Sequence, residues 1–380
     1  MLRQSPTQPS PEIAPLPPLR IGPLKLDFPI VQAALSGYSD APMRVIARRL
    51  GAPYTLCEVM LDKFVAELKP RRKNRHFLYI ADEEHPVGGQ LMGADPEVFG
   101  PAAVRMVEAG FDVIDINFGC PVKKVLGRCR GGFHLSQPDV ALEIIARVRE
   151  AVPDRVPVTV KMRRGIDDTQ ESRDKFFAIF DAAYRLGVSA ITVHGRTVVQ
   201  RYNGPSRWEF LRELKRHAGQ RVVLGSGDLF DARSCLEMMR YTGVDGVTVA
   251  RGAIGNPWVF HQARELAAGR PLPPPPTLHE QREVIAEHYR LAEELHGAER
   301  CVPDMRKFAI KYSRLHPDGD AVRADFVRVR EAGAWRGVLD QLYASDGPGR
   351  YPDVEEPNPL IAEGKPAEAE AVSGLAPAAS

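Results

Sequence analysis

Little in this chain points to a metal, an export route or a membrane. Its 380 residues include five cysteines, an odd number with no C-x-x-C pair and no His/Cys grouping at zinc spacing. That argues against a disulfide framework or a structural metal and for a reducing, cytoplasmic compartment. No run of about eighteen residues is uninterruptedly apolar, and the Pro-rich start lacks a signal-peptide core, so neither spanning nor export is expected. Charge of one sign is scarce as well: 51 Lys and Arg against 49 Asp and Glu leave a net charge of +2. A wholesale nucleic-acid binder would carry more, so any polyanionic partner must be held by local basic patches. No G-x-G-x-x-G follows the first strand-like segment, which disfavours an open dinucleotide-binding sheet.

What is present is a core. Hydrophobic residues make up 44% of the chain, enough for one large domain and a smaller one. Residues 1–20, rich in proline, and 347–380, rich in Ala, Pro and Glu, read as disordered tails because they have too little apolar surface to offset ordering. Between 269 and 277 the string Gly-Arg-Pro-Leu-Pro-Pro-Pro-Pro-Thr is a semi-rigid spacer and the expected domain boundary. Over 21–270, short β-branched or apolar runs at 29–34, 54–58, 86–91, 112–117, 157–163, 190–194, 221–224 and 245–250 read as strands. Amphipathic stretches such as 96–109, 138–150, 172–186 and 232–241 follow them. The expected fold class is α/β, a (β/α)8 TIM barrel, with a small all-helical C-terminal domain over 277–345.

Chemistry-bearing residues collect where those strands end. Asn117-Phe-Gly-Cys-Pro121 places the Cys120 thiol at a strand-to-loop junction, with Pro121 stiffening the turn; a buried packing cysteine is the plain alternative. Gly225-Ser-Gly-Asp228 follows the seventh strand and Arg251-Gly-Ala-Ile-Gly-Asn-Pro257 the eighth. There, glycine backbone, Arg251 and the next helix N-terminus would suit a phosphate. Lys161, Arg163, His194 and Arg196 end the fifth and sixth strands and Gln90 the third, an anion site or a salt-bridge layer closing the barrel.

These strings carry a resemblance. Gln90-Leu-Met-Gly-Ala-Asp-Pro96, Asn117-Phe-Gly-Cys-Pro-Val-Lys-Lys-Val125, Val158-Thr-Val-Lys-Met-Arg163, Thr192-Val-His-Gly-Arg-Thr197 and Arg251-Gly-Ala-Ile-Gly-Asn-Pro-Trp258 resemble the tRNA-dihydrouridine synthases in wording, order and spacing. The similarity resumes weakly at Met305-Arg-Lys-Phe-Ala-Ile-Lys-Tyr312. It implies an FMN-dependent barrel that reduces the C5–C6 double bond of selected uridines in folded tRNA, with NADPH as electron donor. By motif, Gln90, Lys161 and His194 would contact the flavin, and Ser226, Gly227, Asp228, Ala250 and Arg251 would hold its phosphate. Asn117 and Arg163 would bind the uracil and Cys120 would give the proton to C5. A thiol with pKa near 8.5 is mostly protonated at pH 7, although a nearby Lys123 or Lys124 would tend to lower it.

The chain also departs from the family's wording. Ala34-Leu35-Ser36 stands where Pro and Met usually flank the flavin, Ser226 and Ala250 replace Asn and Gly, and Arg130-Gly-Gly-Phe-His-Leu135 replaces Ala-Gly-Ser-Ala-Leu-Leu. After the spacer, Thr277 and Glu280 form a capping box, and Ile285, His288, Ala292 and Leu295 one apolar stripe. A second helix over 303–315 carries Lys307, Lys311 and Arg314 on one face. With Arg323, Arg328, Arg330, Arg336 and the basic loop 69–75, they fit phosphate-backbone contacts or an ordinary solvated surface. In the family this small domain helps bind tRNA. A monomer is expected. Two other readings remain: a flavin-dependent barrel dehydrogenase of a free small molecule, and an RNA-binding paralogue without redox turnover.

Overall fold

The computed structural model describes residues 16–69 and 71–352. The expected tails therefore lie largely outside it, at 1–15 and 353–380, as does Pro70 of the basic loop. Among the described residues the apolar runs become eight parallel strands: β1 (Ile30–Gln32), β2 (Thr55–Leu61), β3 (Val87–Met92), β4 (Val113–Phe118), β5 (Val158–Arg163), β6 (Ala190–His194), β7 (Val223–Ser226) and β8 (Gly246–Val249). Each hydrogen-bonds to its successor and β8 pairs with β1, so the sheet is a closed barrel. Helices cover its outside: α1 (Ala41–Arg49), α2 (Asp62–Ala66), α3 (Pro96–Glu108), α4 (Pro138–Ala151), α5 (Gln170–Arg185), α6 (Trp208–Ala218), α7 (Ala232–Thr242) and α8 (Val259–Ala267).

Strand β4 shows how sequence sets side-chain direction. Ile114 and Ile116 pack with the outer apolar core that includes Phe99 and Ile144 of the helices, whereas Val113 joins the cluster at the base of the barrel. A period of two then puts Asp115 and Asn117 on the inner face. The same alternation in β5 puts Thr159, Lys161 and Arg163 inside, directly beside them: Asp115 is in register with Thr159 and Asn117 with Lys161.

The base is closed by an antiparallel hairpin, Leu19–Ile21 against Leu24–Leu26. Leu19, Ile21 and Leu26 pack on Val31, Tyr54, Leu56, Val113, Ala190 and Leu224. Leu19 and Arg20 fall within the expected tail, yet the Leu-Arg-Ile alternation there offers one apolar face to bury and forms a strand.

Beyond the spacer come α9 (Leu278–His296), α10 (Ala298–Tyr312), α11 (Gly319–Arg328) and α12 (Ala332–Leu342). Thr277 and Glu280 cap α9 reciprocally, and its Ile285, His288 and Ala292 are buried. The helix expected over 303–315 starts earlier, at Ala298, and ends at Tyr312, so Pro303 sits near its beginning and Arg314 falls in a 3-10 turn, Ser313–Leu315. This segment docks on the loops after β1 and β8. His296 Nε2 lies 3.0 Å from Asp40 Oδ2, Arg49 Nη1 lies 2.6 Å from Glu287 Oε1, and the Tyr38 and Phe308 rings meet edge to face at 5.3 Å. The chain then returns: Gly347 C=O accepts from Leu278 N–H at 2.9 Å and Leu315 C=O from Arg350 N–H at 2.8 Å. The stretch just after 347, read as tail, is therefore packed against α9. Among the described residues no helix is long and apolar enough to cross a membrane, and no group of three or more His, Cys, Asp or Glu could hold a metal.

Candidate active site

The carboxyl ends of the strands open into a cleft of about 320 Å³. Ala34, Leu35 and Ser36 line it from the loop after β1, Gln90 from β3, Asn117 and Cys120 from the end of β4, Lys161 and Arg163 from β5, and His194 from β6. Ser226, Gly227, Asp228, Ala250 and Arg251 complete it from the turns after β7 and β8. Every barrel residue that the resemblance linked to flavin, uracil or proton donation thus lines one mouth.

Lys307, Lys311 and Arg314 do not line this cleft. They are half-buried at the seam between α10 and the barrel. Lys307 Nζ sits 5.5 Å from the ring centroid of Tyr38, which itself lines the cleft. Lys311 and Arg314 share a small recess with Arg251 and Gly255. Of the two readings for this row, phosphate contacts or an ordinary solvated face, a freely solvated face does not hold: the row lies at the barrel, where a Cβ built on Gly255 would come within 2.4 Å of the Lys311 carbonyl carbon and the two backbones pack directly. Arg323, Arg328, Arg330 and Arg336 are exposed.

Asn117 organises the thiol. Its Oδ1 accepts from the backbone N–H of Gly119 at 3.0 Å and of Cys120 at 3.1 Å, while its Nδ2 donates to Gln90 Oε1 at 2.8 Å. Burial pushes the Cys120 thiol above its ordinary pKa, a shift that a backbone hydrogen bond, Arg163 and Lys161 only partly oppose. It is protonated at neutral pH. The lysines expected to lower it do not act on it: Lys123 and Lys124 are exposed beyond the turn, and the cations that bear on the sulfur are those of β5.

Burial, and after it the charge of Arg163, brings the Lys161 ammonium down to about 8, with Asp115 and Cys120 working the other way. Arg163 is held by backbone: Nε donates to Gly119 O at 2.9 Å and Nη1 to Thr197 O and Arg201 O at 2.8 and 2.6 Å. Burial, reinforced by Lys161, Arg163, Arg196 and Arg251, holds His194 well below the usual imidazole range. It is therefore neutral, and because Nδ1 accepts from Arg196 N–H at 3.2 Å, the proton is on Nε2.

In the turn after β7, Asp228 takes a left-handed φ of 59°. Its carboxylate is engaged by its neighbours: Oδ1 pairs with Arg196 Nη2 at 2.7 Å and lies 3.9 Å from Arg251 Nη2, and Oδ2 accepts from Ser206 N–H at 2.7 Å. Gly227 is required by Ser206, whose Oγ would lie 2.4 Å from an added Cβ, and Gly252 by the Leu229 carbonyl at the same distance. At the helix after β7 a carboxylate already stands at the N-terminus: Asp231 caps α7, accepting from Ser234 N–H at 2.7 Å. What the two turns offer an anion is backbone and Arg251.

Comparison with known proteins decides the family. Residues 31–342 match the family described as dihydrouridine synthase (Dus). This chain belongs to the dihydrouridine synthase family. It is 35% identical over 350 residues to a probable tRNA-dihydrouridine synthase of Mycobacterium tuberculosis, covering 90% of this chain and 88% of that one. It is 33% identical to tRNA-dihydrouridine synthase B of Pseudomonas aeruginosa, covering 86% and 96%. Among solved structures, histamine dehydrogenase from Rhizobium sp. 4-9 aligns with a TM-score of 0.53 at 17% identity over 78% of this chain, and a 2-naphthoyl-CoA reductase complex with a TM-score of 0.53 at 10% identity over 67%. The aligned part spans about half the length of each, 51% and 52%, and the likeness is one of fold.

Two polar residues of this dihydrouridine synthase escaped sequence reading. Asp115 Oδ2 accepts from Gln90 Nε2 at 2.7 Å and Oδ1 from Thr159 Oγ1 at 2.5 Å, both inside the barrel. The signal was available: Asp115 lies two residues before Asn117 in an otherwise apolar strand, and Thr159 two before Lys161.

Proposed function

We propose that this chain is an FMN-dependent, NADPH-reduced enzyme that converts specific uridines of tRNA to dihydrouridine. The observation that carries the reading is the Cys120 thiol, kept protonated by burial and fixed by Asn117 in a cleft also lined by Lys161, Arg163 and His194.

The residues present suit FMN. Thr248 Oγ1 is buried beside the cleft with no hydrogen-bond partner, a place for a hydroxyl of a ribityl chain. Arg251 and the backbone at 226–228 would meet the phosphate, and Arg196 neutralises the one carboxylate there. Ala250 replaces the family's glycine at a φ of −104°, outside the left-handed region that favours glycine. Gln90, Lys161 and neutral His194 would face the ring, with Ala34, Leu35 and Ser36 on its flank.

Reduced FMN, when bound, supplies the hydride that reaches C6 of the uracil. This chain's part is to hold the base and complete the addition. Asn117 Nδ2 and the Arg163 guanidinium are donors for the uracil carbonyls, where charge grows as C6 gains its hydride. Cys120 Sγ–H then gives its proton to C5, leaving a thiolate that Lys161 and Arg163 stabilise until solvent reprotonates it. The helices over 277–345, with Lys307, Lys311 and Arg314 at the seam and exposed arginines beyond, would carry the tRNA backbone.

The test is twofold. Purified protein should show a flavin absorption spectrum, with FMN released on denaturation, and tRNA from a deletion strain should regain dihydrouridine with the wild-type gene but not with Cys120→Ala. Colourless protein after reconstitution, or full restoration by Cys120→Ala, would defeat the reading.

A further inference from the structure

Four side chains form a directed hydrogen-bond chain across β3, β4 and β5. Its direction starts from groups that cannot be reversed, the backbone N–H of Gly119 and Cys120, which oblige Asn117 to present its oxygen to them. Asn117 must then offer its NH2 to Gln90, which accepts through Oε1 and is left with Nε2 pointing to Asp115. Only an acceptor can end such a chain, and Asp115 is that acceptor, its second oxygen taken by the Thr159 hydroxyl. Both ends of the chain therefore agree on one orientation. Each amide NH2 has two hydrogens and spends one in the chain. Gln90 and Asn117 line the cleft and Asp115 does not, so the second N–H of each amide is the group they would offer a ligand there.

We propose that Asp115 is a positioning residue that fixes the hydrogen-bond polarity of the cleft, so that Gln90 and Asn117 present donors to ring carbonyls and reject a ring that presents an amino group. This rests on the FMN- and uracil-binding reading above. The carbonyl-bearing edge of an isoalloxazine or a uracil matches such a floor; the exocyclic amine of a cytosine would meet a donor. A buried carboxylate is kept here because a neutral apolar residue would leave a Gln90 N–H without a partner and the amide held from one end only, by Asn117.

The experiment compares FMN affinity, by flavin fluorescence quenching, and thermal melting for the wild type, Asp115→Asn, Asp115→Leu and the double variant Gln90→Glu with Asp115→Asn. Asparagine can still accept from Gln90, so Asp115→Asn should bind FMN within about threefold of wild type, and Asp115→Leu about tenfold or more weakly. In the double variant the carboxylate moves one position along the chain; every hydrogen bond can form, so it should melt close to wild type. Residue 90 then presents only acceptors, and FMN binding should fall by about tenfold or more with a displaced flavin absorption band. A double variant that binds FMN like wild type, or Asp115→Leu and Asp115→Asn that behave alike, would overturn the proposal. If wild type binds FMN but leaves tRNA uridines unreduced, the functional reading fails while this comparison still stands; a wild type that takes up no FMN takes down both.

Discussion

The backbone N–H of Gly132 donates to the carbonyl of Cys120 at 3.0 Å, so the loop at 131–136 is fastened to the residue that carries the thiol. Gly131 before it has φ 58°, and a Cβ there would stand 2.8 Å from the Cys120 Cβ. Gly131→Ala should cost about 1–2 kcal/mol of stability through the left-handed backbone alone. It should cost more in kcat than in KM, because the added methyl displaces the cysteine. Melting curves and steady-state kinetics on one preparation check both, and an unchanged kcat would detach this loop from catalysis.

Lys161, not Cys120, should set the alkaline limb of activity. The ammonium loses its proton near pH 8, whereas the thiol, raised by burial, stays protonated beyond that. Turnover should fall as pH rises through about 8, and Lys161→Met should be slow but flat across that region. The sign for stability is opposite. Between about pH 8 and the lysine's ordinary 10.5 the unfolded chain holds a proton that the folded chain has lost, so this group makes the fold more stable as pH rises through that window.

Three buried imidazoles make the fold acid-sensitive. His134, His194 and His288 all have pKa values lowered chiefly by burial, His288 to about 4. From pH 6.5 downward the unfolded chain binds protons that the folded chain refuses, so stability falls with pH until each folded-state pKa is reached. His288, 1% exposed with Nδ1 3.0 Å from the Tyr312 hydroxyl, should contribute on the order of 3 kcal/mol to that loss. His288→Gln should flatten the slope of melting temperature between pH 6.5 and 4; an unaltered slope would remove it from the account.

The seam between α10 and the barrel depends on Gly255. Its φ is 73° and a Cβ would lie 2.4 Å from the backbone of Lys311. Gly255→Ala should push α10 off the loop after β8 and lower the melting temperature. Flavin retention should change little, since Gly255 does not line the cleft, while tRNA affinity should drop as Lys307 and Lys311 move. Loss of flavin with tRNA affinity intact would contradict this.

The barrel was legible because each strand is a short run rich in apolar residues and bounded by turn residues, so β6 was placed without a residue's error and the others within a few. The mouth was legible because the residues that line it, such as Asn117, Lys161, Arg163 and His194, gather toward the carboxyl ends of those runs. What escaped depended on partners distant in sequence. Asp115 gains its meaning from Gln90, 25 residues earlier, and Thr159, 44 later. The seam-facing turn of Lys311 follows from contact with Gly255, which no helical periodicity encodes. Asp228 reads as part of a phosphate turn, yet its carboxylate is claimed by Arg196.

The hairpin of Leu19–Leu26 has a kinetic consequence. A tube stoppered at one end has a single doorway, here the mouth bordered by Tyr38, Cys120 and Arg251. On the proposed function, the donor of electrons and the tRNA would use that doorway in turn, each leaving before the other enters. Initial-rate plots at several fixed levels of one partner should form parallel lines.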